Sequence, residues 1–341
     1  MKTIILNKPQ ELQLISRDFD DTLTENEALL KIHRIGICGT DYHAYRGRQP
    51  FFSYPRVLGH ELGAEVMALG SGADENGITI GDKVSVEPYL NCGECQPCKN
   101  GKINCCESLK VLGVHVDGGM EEYLKVPVNK LHKSDFLSYE QLALVETLGI
   151  GSHAVQRATI TENDIVLVIG AGPIGLSVIQ FVKIIGAKIV VMDFSKQRLD
   201  FANEAIGIDE IIMAKDDFSA EDLRKILKGN MPTAVFDATG NAASMMKAFS
   251  YVAFGGKLVY VGLFQGEVTF FDPDFHRREI TLLASRNALP TDFKDIIVKM
   301  ESGQINTKAW LTHEAAFGDL PTVFETWLDP KSAVIKAMAV L

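Results

Sequence analysis

Residues Asp164 to Phe181 read DIVLVIGAGPIGLSVIQF. Aliphatic and β-branched residues come first, glycines follow at 170, 172 and 175, and apolar residues then return at helical spacing. A buried strand, a tight turn and a helix satisfy that order. Gly170 permits the turn, Gly172 lets the backbone approach a pyrophosphate, and Gly175, reached through Pro173 and Ile174, lets helix and strand pack closely. The helix N-terminus offers free N–H groups and the positive end of its dipole to phosphates. Asp193 closes the next apolar run, eighteen residues beyond Gly175, where a carboxylate takes ribose hydroxyls. It would repel a 2′-phosphate, so NAD is expected over NADP, with Arg198 and Lys196 softening that preference. The plainer alternative makes Asp193 a turn aspartate.

From this point the chain alternates strand and helix. Expected strands are 165–169, 188–192, 209–213, 233–237, 257–262 and 280–285, with helices at 173–185 and 219–228 closed by Gly186 and Gly229. Six such strands describe an α/β, doubly wound parallel sheet. Before it the pattern differs. Short β-rich runs stand between glycine turns: ALLKIHRIGI (28–37), GAEVMALG (63–70), a loop at Ser71 to Asn76, ITIGDKVSVEP (78–88), KVLGVHV (110–116) and EEYLKVPV (121–128). That is the signature of a β-barrel-like first domain. Ser138 and Gln141 form a capping box for a helix through the mid-140s. After about residue 288 come a helix at 292–302 and a β-rich end, SAVIKAMAVL. A length of 341 residues fits two domains.

The six cysteines cluster. Cys92, Cys95, Cys98 and Cys106 follow C-x2-C-x2-C-x7-C, a spacing that lets four thiolates converge on one tetrahedral zinc and staple a loop with little core of its own. A redox cluster is the alternative, and Cys105 is spare. The sixth cysteine lies in Gly36–Glu61, GICGTDYHAYRGRQPFFSYPRVLGHE, together with Thr40, Asp41, His43, His60 and Glu61. A thiolate, an imidazole and a carboxylate suit a zinc site that keeps one position open. Taken singly, Cys38 or His60 would be an ordinary core residue; together in one glycine-punctuated run they favour metal.

Composition excludes several roles. With 34 Lys+Arg against 44 Asp+Glu the formal charge is −10, and no basic run is interleaved with aromatics, so no nucleic-acid partner is expected. The uncharged run Ile165–Val182 is long enough to span a membrane but is broken by the phosphate-binding glycines, so no membrane segment is expected. MKTIILNKPQEL meets polar residues too soon for a secretory core, and a cytoplasmic protein is the expectation.

GICGTD and GHE resemble the signature of the zinc-dependent medium-chain alcohol and polyol dehydrogenases, and the four-cysteine lobe matches that family's structural-zinc lobe residue by residue. The resemblance extends over nearly the whole chain. It implies a GroES-like β-barrel catalytic domain made of 1–148 with 288–341, a Rossmann NAD-binding domain of 149–287, and an active site in the cleft between them. It implies two Zn2+ per chain, one catalytic and one structural, and a homo-oligomer, dimer or tetramer. Catalytic-zinc ligands would be Cys38 and His60, with Glu146 in LALVETLGIGSHAV or Glu61 as the carboxylate; Thr147 stands where many relatives have proline. Thr239, within Asp237–Gly240, and Val261 with Gly262 would run along the dinucleotide.

Held against zinc, a substrate hydroxyl becomes far more acidic, as zinc-bound water does when its pKa falls from about 15.7 to about 7. Thr40 and His43 would relay the proton through the cofactor ribose to solvent, and Asp41 would orient His60. Several stretches look like one subgroup, the hexonate 5-dehydrogenases acting on L-galactonate or L-gulonate: QPFFSYPRVLGHE, VLGVHVDGG, VGLFQGE and DPDFHRREITLLASRNALPTDF. A substrate carboxylate needs a cation and its hydroxyls need polar partners, for which His115, Arg286 with Asn287, and Arg46 or Arg48 are the candidates. The product would be D-tagaturonate or D-fructuronate. The alternatives are a sorbitol- or galactitol-type polyol dehydrogenase, an L-threonine dehydrogenase, or a non-catalytic sensor of NAD or zinc.

Overall fold

The computed structural model describes residues 1–50, 52–73 and 77–341; Phe51 of the quoted stretch and the last three residues of the loop expected at Ser71 to Asn76 lie outside the described residues. The chain divides into two compact units, Met1–Glu146 with Ala288–Leu341, and Thr147–Asn287.

The first unit is mostly antiparallel β. Glu27–Ile37 alternates buried and less buried residues and is its central strand. It pairs with Glu61–Leu69, with Tyr123–Pro127, and with the C-terminal strand Lys336–Val340 in the register Ala337 to Ile37. Lys83–Val86 and Leu131–Lys133 extend this sheet on one side and Leu311–Ala316 on the other. A smaller sheet holds Lys2–Lys8 between Glu11–Ser16 and Arg56–Val57. Both sheets pack on one core, in which Ile4 and Leu6 from the small sheet meet Ile32, Leu62 and Val84 from the large one. Apolar side chains on alternate strand positions reach one face, and that face closes over the other sheet.

One expected strand is largely a turn. Of KVLGVHV only Lys110–Val111 is strand. Gly113 has φ +72°, and a Cβ there would stand 2.8 Å from the Gly59 nitrogen. The chain therefore folds back against the segment before His60. Gly118, Gly119 and Met120 donate backbone hydrogen bonds to Val57, Gly59 and Leu58 at 2.8–2.9 Å. The periodicity of the run is that of a strand, but its backbone serves the neighbouring loop.

The second unit is a doubly wound parallel sheet in the order Glu210–Met213, Lys188–Asp193, Ile165–Ile169, Ala234–Asp237, Lys257–Tyr260, Thr281–Ala284. Chain order reverses between Ile165–Ile169 and Ala234–Asp237, which is where this architecture opens a crevice at the strands' carboxyl ends. Helix Pro173–Ile185 starts at Gly172 and ends at Gly186 in the left-handed conformation. No helix among the described residues is long and apolar enough to cross a membrane, because Ile165–Val182 is divided between a buried strand and this helix.

Candidate active site

GICGTD leaves its strand at Ile37 and turns at once into a helix, Gly39–Tyr45, which the sequence reading did not anticipate. Cys38 is the N-cap, and Asp41, three residues on, accepts the Cys38 backbone N–H at 2.9 Å. The cap fixes the cysteine at the mouth of the helix. Glu61 opens the neighbouring strand opposite Gly36, and His60 immediately precedes it. The result is that the Cys38 sulfur, a His60 ring nitrogen and a Glu61 carboxylate oxygen all lie within 4.8 Å of one another.

Glu146 stands outside that trio but in the same buried neighbourhood. It is second in the helix Val145–Ala158, is 4% exposed, and accepts a hydrogen bond from the Tyr89 hydroxyl. Asp41 Oδ1 lies 3.8 Å from His60 Nδ1, beyond hydrogen-bond reach, and neither atom has a hydrogen-bond partner among the described residues. The orienting hydrogen bond expected of Asp41 is therefore not made; its carboxylate caps the helix and acts on His60 by charge.

Two residues absent from the sequence reading complete the neighbourhood. Lys336, 2% exposed, pairs with both oxygens of Glu61, which is fully buried. Tyr89 is the other. A lysine in the otherwise apolar run IKAMAVL was a visible signal for the first; Tyr89 carried no local signal.

The electrostatics test whether this site suits a divalent cation. Burial raises the carboxyl pKa of Asp41 and of Glu146. Burial would lower that of His60, yet the charges of Asp41 and then Cys38 lift it well above the ordinary imidazole value. Lys336 shows the same pattern: burial works to lower its pKa, and Glu61 leads the groups that raise it. Three buried carboxylates and a thiol thus gather around one ammonium and one imidazole, a donor set that combines negative charge with ligands soft enough for zinc. The donor set fits the ion.

Thr40 and His43 lie three residues apart on the same short helix, so they share a face. His43 is exposed, and partial desolvation, then Arg46 and Arg48, lowers its pKa below 6.5. The lobe cysteines converge: the sulfurs of Cys92, Cys95, Cys98 and Cys106 lie within 4.8 Å of one another. Helix Gln96–Lys99 and the turn Ile103–Cys105 carry the chain around that centre.

In the second unit the dinucleotide fingerprint forms a cradle. A Cβ on Gly175 would stand 1.7 Å from the Gly170 carbonyl oxygen, so only glycine lets the helix approach this closely. At Gly172 the nearest atom to such a Cβ is Arg198 Nη1 at 3.8 Å, and no side chain caps the helix there. Open space before uncapped N–H groups fits a pyrophosphate. Asp193 accepts from the Ala171 and Ser195 backbone N–H groups, each at 2.7 Å, which leaves lone pairs on both oxygens for hydroxyl donors. Buried Asp237 holds Thr239 by its backbone N–H and hydroxyl, and its carbonyl accepts from Val261 and Gly262.

The substrate candidates are divided between the units. His115 belongs to the first, where its Nδ1 accepts from Val111 N–H at 3.1 Å, placing the ring proton on Nε2. Arg286, exposed, and Asn287, with φ +54°, belong to the second.

Known proteins place this arrangement. Residues 24–136 match the alcohol dehydrogenase GroES-like domain model, and residues 173–302 match the zinc-binding dehydrogenase model. L-galactonate-5-dehydrogenase of Escherichia coli K12 is 42% identical over 325 residues, covering 95% of this chain and 94% of that protein. Sorbitol dehydrogenase of Bacillus subtilis is 31% identical, covering 99% and 96%. The crystal structure of an alcohol dehydrogenase from E. coli CFT073 complexed with cofactor NADH superposes with a TM-score of 0.92 at 30% identity, covering 100% of this chain and 99% of that one.

Proposed function

The chain belongs to the zinc-binding alcohol dehydrogenase family, among its polyol and sugar-acid dehydrogenases, and from that premise we propose an NAD-dependent hexonate 5-dehydrogenase. Its reaction oxidises the C5 hydroxyl of L-gulonate or L-galactonate to D-fructuronate or D-tagaturonate. The observation that carries the reading is the 42% identity to an L-galactonate-5-dehydrogenase along nearly the whole chain, against 31% to a sorbitol dehydrogenase.

Cys38 and His60, with a carboxylate from Glu61 or Glu146, would hold the catalytic zinc; the four cysteines of the lobe would hold the structural one. When bound, the catalytic ion supplies a Lewis acid that makes a substrate hydroxyl acidic. The chain's own groups do the rest. Gly172 and the start of its helix seat the pyrophosphate, and Asp193 accepts from the ribose hydroxyls and opposes a 2′-phosphate. Arg198, beside Gly172, adds positive charge to that cradle. Thr40 accepts the substrate proton while its own hydroxyl proton passes on toward His43, which releases it to solvent. His115 Nε2–H, Arg286 and Asn287 would serve the substrate's carboxylate and hydroxyls.

A panel assay of NADH formation tests the substrate. We expect turnover on L-gulonate or L-galactonate with kcat/KM at least about tenfold, roughly 1.4 kcal/mol, above that on sorbitol, galactitol and L-threonine. The reverse order would make the protein a neutral-polyol enzyme, and no turnover by fully metallated protein would make it a sensor.

The proton relay predicts a pH profile. His43 must be neutral to accept a proton, and its pKa lies below the ordinary 6.5. The acidic limb of the kcat/KM profile is therefore expected below pH 6.5, with the rate falling as His43 becomes protonated. His43→Gln should flatten that limb and lower kcat by up to about 10²-fold. An unchanged limb in the variant would remove His43 from the relay.

Strand Thr281–Ala284 is outermost in its sheet and exposes Leu282, which supports a homo-oligomer; light scattering at a monomer mass would contradict it. The clustered thiols, none in a disulfide, suit a reducing compartment and a cytoplasmic protein; export of a tagged full-length chain in fractionation would contradict that.

A further inference from the structure

We propose that Tyr89 is a positioning residue of the metal site, whose hydroxyl tethers one oxygen of Glu146 and leaves the other to serve Cys38 and His60. The inference rests on the zinc-dependent reading above.

The contact joins residues 57 apart in the chain, both almost fully buried, with the phenol donating to Glu146 Oε1. A carboxylate so placed has little choice of partner. Buried, its oxygens have lost the hydrogen bonds that water would give them. A hydroxyl donor replaces one of those bonds without adding charge to the site.

The ring is held independently of the hydroxyl. It meets Phe293 edge-on, with centroids 6.4 Å apart and planes at 78°. Phe293 in turn stacks on His132 at 4.8 Å, and His132 Nε2 lies 3.1 Å from Glu87, which accepts from Lys130 at 2.6 Å. All of these residues are buried. The phenol oxygen is therefore fixed by a packed aromatic row rooted in a buried ion pair, so it restrains the carboxylate rather than following it. Glu146 would otherwise be free to turn both oxygens toward the metal or to withdraw.

The test compares metal release from zinc- and cobalt-loaded full-length protein. Tyr89→Phe keeps the ring and removes the hydroxyl. The ion at Cys38 is expected to leave to a chelator about tenfold faster, the magnitude typical of groups that orient a metal's ligands. The four-cysteine ion should leave at the wild-type rate, and the visible cobalt band of the Cys38 site should shift. In a Glu146→Ala background the same substitution should change release less than about twofold, since its route of action is gone. Equal effects of Tyr89→Phe with and without Glu146, or no effect in the wild-type background, would each overturn the proposal. Wild-type protein that binds no ion at Cys38 would instead overturn the family reading beneath it.

Discussion

Cys38→Ser is expected to lower kcat/KM about a thousandfold, equivalent to roughly 4 kcal/mol of transition-state stabilisation. The sulfur is one of three donor groups lying within 4.8 Å of one another, and it sits at a helix N-cap whose position is fixed by Asp41. A serine hydroxyl at that point keeps the shape but is a poor zinc ligand, because it stays protonated where a thiol gives up its proton to the metal. The variant should therefore carry one ion per chain, retained by the four-cysteine lobe, where the wild type carries two. Metal analysis beside the NADH assay reads both numbers. Full turnover by a protein that has lost the Cys38 ion would remove zinc from the chemistry altogether.

Lys336→Met is expected to destabilise the first unit strongly. It leaves the fully buried Glu61 without its cation, and breaking a buried ion pair from one side costs about 3–5 kcal/mol. At about 2–4 °C per kcal/mol for a unit of this size, the melting temperature should fall by roughly 10 °C. The drop should be largest in chelator, since a divalent ion beside Glu61 would take over part of the missing charge. Glu61→Gln with Lys336→Met should recover most of the loss, because a neutral pair leaves no buried charge unmatched. A melting temperature within about 2 °C of wild type would show that Glu61 is already balanced by some other group.

The two donor clusters were unequally legible. The lobe cysteines lie within fifteen residues, and tight turns force their sulfurs together, so spacing alone identified the centre. The same holds for the dinucleotide cradle, where Gly170, Gly172 and Gly175 act on the strand and helix that flank them. The Cys38 site was legible only in part. GICGTD and GHE marked two of its corners, yet the sequence reading missed that Cys38 caps a helix, and it paired Asp41 with His60 where the carboxylate caps Cys38.

What residues near in sequence do to each other, the sequence alone determined: the order of strands and helices in the second unit, the glycine turn before its helix Pro173–Ile185, and the cluster of four thiols. Lys336 reaches Glu61 across 275 positions and Tyr89 reaches Glu146 across 57, and only the tertiary structure decided those meetings. The pairing of Lys336–Val340 with Glu27–Ile37 is what brings an ammonium into the core beside a carboxylate. A buried charge is tolerated only where its partner arrives, and that arrival depends on strand register, which no local pattern encodes.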